Sequence, residues 1–454
     1  MSRFFACVLS VLVLLSVAAW WIKPRPVYDG KTLLVWCSDD NPARREQIAL
    51  FNRLHPRLHL SLDPANRGME KVIVQSEAGV GPDLFDSFSV FQSSAFIKAG
   101  IAWDITDRLT QAGINVRTDV WEATHPFILR DGRVYGFPRN AGTEAVFYNK
   151  ALFEQADLPY PNGPMNCAEF LELAKKLTVR DSGGRIIRFG FTFAWSRWAC
   201  FVSQWGGRMY SEDGTRCVLD SPEAVAAVQF MQDLIWTYNV SPTPEQEAGM
   251  AASGGWGLDS MKWFGAGRVA MAYGGRWWLC RLRNKKDYPG LRMGVVEVQF
   301  GPLRRYKGGG GAVMINKRSP RREQALEFIK YMAGREYNEL VNHQADALGP
   351  VKRFTTTERF LHDPDFPDED NNDVWRRVIA LGEPQEDCEF INGAVAERIV
   401  SEQLDLVRAR QKSAAEGMRS AARKINAEIA KTVARNPSLR AQYEAVRSGK
   451  EKVR

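Results

Sequence analysis

The sequence is poor in the motifs that announce chemistry. Its 454 residues hold no HExxH pair, no Walker A sequence and no GxSxG nucleophile elbow. Histidine occurs only five times, at His55, His59, His125, His343 and His362. These are scattered, and Pro56 keeps His55 and His59 off one helical face, so all five read as surface residues. No two of the seven cysteines form a CxxC pair, which argues against a zinc site. Gly308 to Gly311 is a true glycine run, but no Lys-Ser/Thr follows it as a phosphate cradle requires. Gly265-Ala266-Gly267 leads into a strand rather than a helix. The formal charge of +8 is spread along the chain, with no dense basic run before the C-terminal fifth, so nucleic acid is not an expected partner. Neither a metal nor a cofactor is called for, and a non-enzymatic role is expected.

Long hydrophobic runs are also rare, with one exception. After Arg3, residues Phe4 to Ile22 carry no charge, and Lys23-Pro24-Arg25-Pro26 ends the run. This is the pattern of an export signal, and Ser16-Val17-Ala18 offers a small-x-small cleavage site. Nineteen apolar residues can equally cross a bilayer, with Trp20 and Trp21 at its interface, so membrane attachment through residues 4–22 stays open. Cys7 lies too early to be a lipoprotein cysteine. The expected location is periplasmic or otherwise extracytoplasmic. In such an oxidising compartment Cys200 and Cys217, the nearest in sequence, are the first candidates for a disulfide; the alternative is buried thiols.

What remains is long enough for two lobes. Lys31 to Trp36 reads as a buried strand, Pro42 to Leu54 as a helix with Ile48, Phe51 and Leu54 on one face, and Leu58 to Leu62 as an alternating strand. Met69 to Ala78 is helical, and Gly81 to Phe85 starts another strand. Such alternation predicts an α/β layer with largely parallel strands. Further on, Asn166 with Glu169, Ser221-Pro222 and Ser319-Pro320 mark helix starts. Ser413 with Glu416 forms a capping box ahead of the stripe Met418, Ala422, Ile425, Ile429, Val433. His362 to Asp373 is an acidic, Pro-bearing surface loop that lacks the glycine and closing Glu of a calcium loop.

Tryptophan is abundant: fourteen residues, many beside Gly or polar neighbours, as in Trp195-Ser196-Arg197-Trp198, Gly255-Trp256-Gly257 and Arg276-Trp277-Trp278. A Trp flanked by Gly can present its flat face in a cleft, where sugar rings stack while polar groups bond their hydroxyls. The alternative is ordinary core packing.

Four segments carry a family resemblance. They are Gly81-Pro82-Asp83-Leu84-Phe85 with Gly100 and Ile105-Thr106-Asp107; Val134 to Leu177; Phe264 to Met271 with Gly275-Arg276-Trp277; and Gly309 to Ile315 with Pro320 to Met332. In this order they resemble extracellular solute-binding proteins of the maltose-binding type, the sugar receptors of ABC importers. The resemblance implies two α/β lobes, each a mostly parallel sheet flanked by helices, hinged as a Venus flytrap. It assigns 28–138 with 300–320 to the first lobe and 139–299 with 321–454, including the C-terminal helices, to the second. It implies a carbohydrate ligand, an oligosaccharide by preference, permease subunits as partners and a monomer. It also implies a ligand site. Trp277 matches the stacking Trp, Asp86 and Ser87 follow the Pro-Asp strand, and Ser38 and Asp39 end the first strand. Arg139 and Asn140 lie at the first crossing, and Gly310 lies where backbone approaches ligand or hinge. Trp195 and Trp256 are further stacking candidates. Arg139 and Arg276 leave an anionic sugar such as a uronate open. The rival readings are a receptor for a peptide or polyamine, and an exported carbohydrate-active enzyme, which would need a carboxylate pair in the cleft.

Overall fold

The computed structural model describes residues 30–250 and 259–449, with Leu12 alone from the N-terminal run. The rest of the run at 4–22, and Trp256, lie outside the described residues. Among the described residues no helix is long and apolar enough to cross a membrane.

The strand Thr32–Cys37 pairs in parallel with both Leu58–Asp63 and Leu84–Ser87, and the helices Ala43–Leu54 and Met69–Glu77 make the crossovers. The periodicity explains the packing: Ile48 and Phe51 turn one face of the first helix onto the sheet, where Leu34, Trp36 and Leu60 are buried. Two antiparallel strands, Ala312–Ile315 and then Phe137–Pro138, complete a five-stranded sheet.

The second sheet has seven strands around Gly142–Asn149. That strand pairs antiparallel with Val269–Gly275, Met293–Val296 and Tyr306–Gly309, while Ile186–Thr192 runs parallel to Val269–Gly275. The sheet is therefore mixed where mostly parallel pairing was expected. The reason is the route of the chain. Gly142–Asn149 leads away from the lobe junction, and its neighbours Val269–Gly275 and Tyr306–Gly309 return to it.

Each sheet has its own core. The first gathers Trp36, Phe51, Phe137 and Val313 with Ala325, Phe328, Ile329, Met332 and Val341; the second gathers Val146, Phe170, Phe191 and Met231 with Leu404, Met418, Ile425 and Ile429. This moves two boundaries of the expected division. The helices Arg322–Ala333 and Arg335–Gln344 belong to the first lobe, because Phe328 sits 5.0 Å from Trp36 and 5.2 Å from Phe51 between ring centroids. Conversely, Tyr306–Gly309 belongs to the second sheet, so the chain crosses between lobes after it rather than near residue 300. Asn166 and Ser413 cap their helices through complete capping boxes, as their spacing predicts.

All six described cysteines are free thiols, so of the two readings open for Cys200 and Cys217 the structure has the buried thiols and not the bridge. Both are buried. The Cys200 thiol faces the Glu144 carboxylate at 3.4 Å, and Cys217 lies in a tight turn whose backbone bridges back to Tyr210.

Candidate ligand-binding cleft

Three chain segments meet between the lobes. Arg139 N–H donates to the Gly311 carbonyl at 2.7 Å, and Ala141 exchanges backbone bonds of 2.9 Å with Leu348. Asn140 ties them together: its Oδ1 accepts from Gly311 N–H at 3.1 Å, and its Nδ2 donates to the Asp346 carbonyl at 3.1 Å. The approach leaves no room for side chains at the glycines. A Cβ on Gly310 would stand 2.2 Å from the Asn140 carbonyl oxygen. This accounts for a glycine run that binds no phosphate.

Above this floor lies a cleft with two adjoining chambers. The first, of about 660 Å3, is lined by Asp39, Arg44, Phe88, Arg139 and Asn140 from one lobe and Glu144, Arg197 and Trp277 from the other. The second, of about 590 Å3, is walled by Phe91, Trp195, Trp198 and the helix Gly393–Arg408; Ser196, Arg197 and Lys307 border both. The first chamber sits at the carboxyl ends of the parallel strands, where α/β sheets present their loops.

The first lobe contributes a buried ion network. The Asp86 carboxylate accepts from Trp36 Nε1 at 2.7 Å, from Ser38 Oγ and from Arg139 Nη1. Asp39 stands 3.1 Å from Arg44 Nε and 3.5 Å from Arg139 Nη1, and Arg44 Nη1 reaches Asp346 at 2.5 Å. Burial by itself would raise the Asp39 and Asp346 carboxyls. The guanidinium groups of Arg139 and Arg44 outweigh it and hold both below the ordinary carboxylate range. The sign of the consequence is fixed: a depressed carboxyl stabilises the fold above its unfolded value and loses that contribution as pH falls through the folded one. Thermal unfolding followed from pH 7 downward is expected to be level to about pH 5 and to fall steeply below about pH 4, the carboxylate range.

The second lobe contributes Glu144, buried, with Arg197 Nε at 2.8 Å from it. Arg197 in turn lies over the Trp277 ring, 5.7 Å from its centroid. That ring rests on bare backbone: a Cβ at Gly142 would meet it at 3.3 Å and one at Gly275 at 2.1 Å. Two glycines thus form a flat bed beneath Trp277, which stays partly exposed and lines the cleft. Burial, helped by Glu144, pushes the Cys200 thiol up to about 12, so it stays neutral and is no nucleophile.

The expected residues therefore separate. Trp277, Asp39, Arg139, Asn140 and Gly310 line the first chamber. Ser38 and Asp86 do not line it; they are buried behind Arg139 and hold it. Ser87 is structural: its hydroxyl donates to the Ser89 carbonyl at 2.8 Å and accepts from Ser93 Oγ at the same distance. Trp195 lines the second chamber with little exposed surface and packs on Phe193 at 5.8 Å. Arg276 is not a cleft residue. It is buried, donating to the carbonyls of Ala347 at 2.7 Å and Asn342 at 2.9 Å and to Asn372 Oδ1 at 3.1 Å. It clamps the segment behind Trp277, because a 3-10 turn at Arg276–Trp278 sends adjacent side chains opposite ways. Sequence reasoning missed Arg44, Glu144 and Asp346. Glu144 breaks an apolar strand and Arg197 divides two tryptophans, both visible signals. Asp346 belongs to no motif.

Comparison with known proteins agrees with this architecture. Residues 38–339 match the family described as bacterial extracellular solute-binding protein. The chain belongs to this family. An arabinooligosaccharide-binding protein of Halalkalibacterium halodurans is 24% identical over 214 residues, 46% of this solute-binding protein and 46% of the relative. Its counterpart in Bacillus subtilis is 22% identical over 74% of this chain and 77% of the relative. Among solved structures, an ABC substrate-binding protein of Listeria monocytogenes in complex with cycloalternan superposes with a TM-score of 0.73 at 20% identity, covering 88% of this chain and 99% of the other. Maltose-bound MalE3 of T. maritima does so with a TM-score of 0.70 at 21% identity, covering 87% and 99%. The two-lobed periplasmic-binding fold is thereby shown, and the family's place is outside the cytoplasm.

Proposed function

We propose that this solute-binding protein captures a carbohydrate, by preference an oligosaccharide, between its lobes and delivers it to an ABC importer without chemical turnover. The observation that carries the reading is Trp277, laid flat on Gly142 and Gly275 at the mouth of a polar interlobe cleft. Such a platform takes the C–H face of a sugar, while Asp39, Asn140, Glu144 and Arg197 around it offer acceptors and donors to hydroxyls. The saccharides named with the relatives support the same class. Because both lobes line the chamber, ligand makes its full set of contacts only when they close, and binding draws the population toward the closed form. The importer's permease subunits would read that closed surface, and the chain works as a monomer. Residues 1–22 serve as the export signal or, uncleaved, as an anchor.

The arginines favour a neutral sugar over a uronate. Arg139 is balanced by Asp86 and Asp39, and Arg276 points away from the cleft. An enzymatic role has less support: Cys200 is neutral, and Glu144 and Asp39 are each tied to a guanidinium.

A thermal-shift screen of neutral oligosaccharides, uronates, peptides and polyamines tests this. Ligand at about a hundred times its Kd stabilises the folded form by about 2.7 kcal/mol. A shift with a neutral oligosaccharide recovered intact is expected. Stabilisation by peptides or polyamines alone would overturn the carbohydrate assignment.

A further inference from the structure

The positive charge of this chain is segregated. From Arg408 to Arg454 it carries thirteen Lys and Arg against four Glu, a larger excess than the +8 of the whole chain, so the rest is nearly neutral. Most of it sits on two helices, Ala414–Arg435 and Pro437–Arg447. The first buries Met418, Ala422, Ile425, Ile429 and Val433 in the second core, and this stripe dictates which way its other face points. On that other face stand Arg419, Arg423, Lys431 and Arg435, four, eight and four residues apart, all exposed. Arg440 and Arg447 extend the face along the last helix. Among the described residues none of these five arginines has a carboxylate within ion-pair distance; Lys431 reaches Glu428 at 3.1 Å. Other exposed arginines are found both in pairs, as Arg318 is with Glu77, and without a carboxylate partner among the described residues, as Arg53 and Arg57 are; what sets this face apart is that its cations are grouped on one helix pair. Between the two helices runs an open groove of about 650 Å3, floored by Ala430, Val433, Ala434 and Tyr443; two arginines, Arg440 and Arg447, border it with Ser448 and a single carboxylate, Glu444.

We infer that this face is a docking surface for an anionic phospholipid bilayer. Unpaired cations on a fixed helix face complement a surface of phosphates, and they act over about a Debye length. The groove fits the same partner. Its apolar floor can take a lipid's glycerol and upper chain, with phosphate on Arg440 and Arg447. The charges of the remainder nearly balance, 48 Lys and Arg against 49 Asp and Glu, so the attraction acts on the C-terminal helices and holds the protein with them inward. The inference rests on the reading that the protein works outside the cytoplasm beside a membrane importer, but it does not depend on the ligand being a sugar.

The test uses the chain without residues 1–22; both lobes and their cores lie wholly within residues 30–449. It is sedimented with vesicles of phosphatidylcholine alone and with about one third phosphatidylglycerol, at about 50 mM and about 500 mM salt. Binding to the anionic vesicles at low salt, released at high salt and absent from neutral ones, is expected. The joint variant Arg419→Gln, Arg423→Gln, Lys431→Gln, Arg435→Gln is expected to lose at least tenfold in affinity. The Lys counterpart at the three arginines, which keeps the charge, retains binding, and both keep the wild-type melting temperature. Absence of phosphatidylglycerol-dependent binding, or equal binding by the Gln variant, would overturn the proposal. Salt-sensitive binding to soluble polyglutamate without binding to vesicles would overturn it in favour of an acidic protein partner.

Discussion

Replacing Trp277 by alanine is expected to cut ligand affinity by roughly thirtyfold while leaving the melting temperature of the free protein within about 2 °C. A sugar face laid on an indole removes on the order of 80 Å2 of apolar surface from water, worth about 2 kcal/mol, and each 1.4 kcal/mol is about tenfold in Kd. The fold is little affected because the ring rests on the backbone of Gly142 and Gly275 and is only partly buried. Trp277→Phe should keep most of the affinity. Trp278 supplies the contrast: it is buried and stacked on Phe147 at 5.5 Å, so a substitution there acts on stability. Titration calorimetry with the saccharide found by thermal shift reads the difference. Unchanged affinity in Trp277→Ala would remove the stacking role and leave the polar residues to explain binding.

Asp346→Ala is expected to be the most damaging single change to stability near the cleft. It removes the closest partner of Arg44, whose side chain is 1% exposed, and so leaves a buried guanidinium with Asp39 alone as counter-charge. Breaking a buried pair from one side costs about 3–5 kcal/mol. For a lobe of this size that corresponds to a fall of roughly 6–20 °C in Tm. Asn41, which also donates to the Asp346 carboxylate, loses its acceptor in the same step, while Gln47 keeps Gln344. Removing the charge as well, in Arg44→Met with Asp346→Leu, should restore much of the loss, since paired buried charges contribute little net stability. Calorimetry of the two variants decides: if the double variant unfolds no later than Asp346→Ala, the damage comes from lost packing rather than from a stranded charge.

Much of the architecture was legible in the sequence because it is written in local signals. The alternation from Lys31 to Phe85 predicted the parallel α/β start, and the capping residues Asn166 and Ser413 marked their helices to the residue. Trp277 could be picked out because it matches the stacking Trp of the family that the chain resembles. The same reasoning failed for Arg276. Its sequence setting is as polar as that of Trp277, but the turn at Arg276–Trp278 sends it into carbonyls contributed by a segment some seventy residues away. It failed for Ser87 because a serine closing a local turn and one facing a ligand share the same sequence environment.

By itself, then, the sequence determined the fold class, the strand-and-helix order of the first lobe, the faces that the amphipathic helices bury and the likeness to sugar receptors. The first three depend on periodicity, caps and glycine placement, which act between residues a few positions apart; the likeness rests on the four segments that resemble the family. The tertiary structure alone decided which lobe takes the helices after residue 320, which polar residues line the cleft and which stand behind it, and that Arg44 and Asp346 form a pair. A buried charge is tolerable only where its partner is brought within a few ångströms, and for Arg44 that partner is 302 residues along the chain.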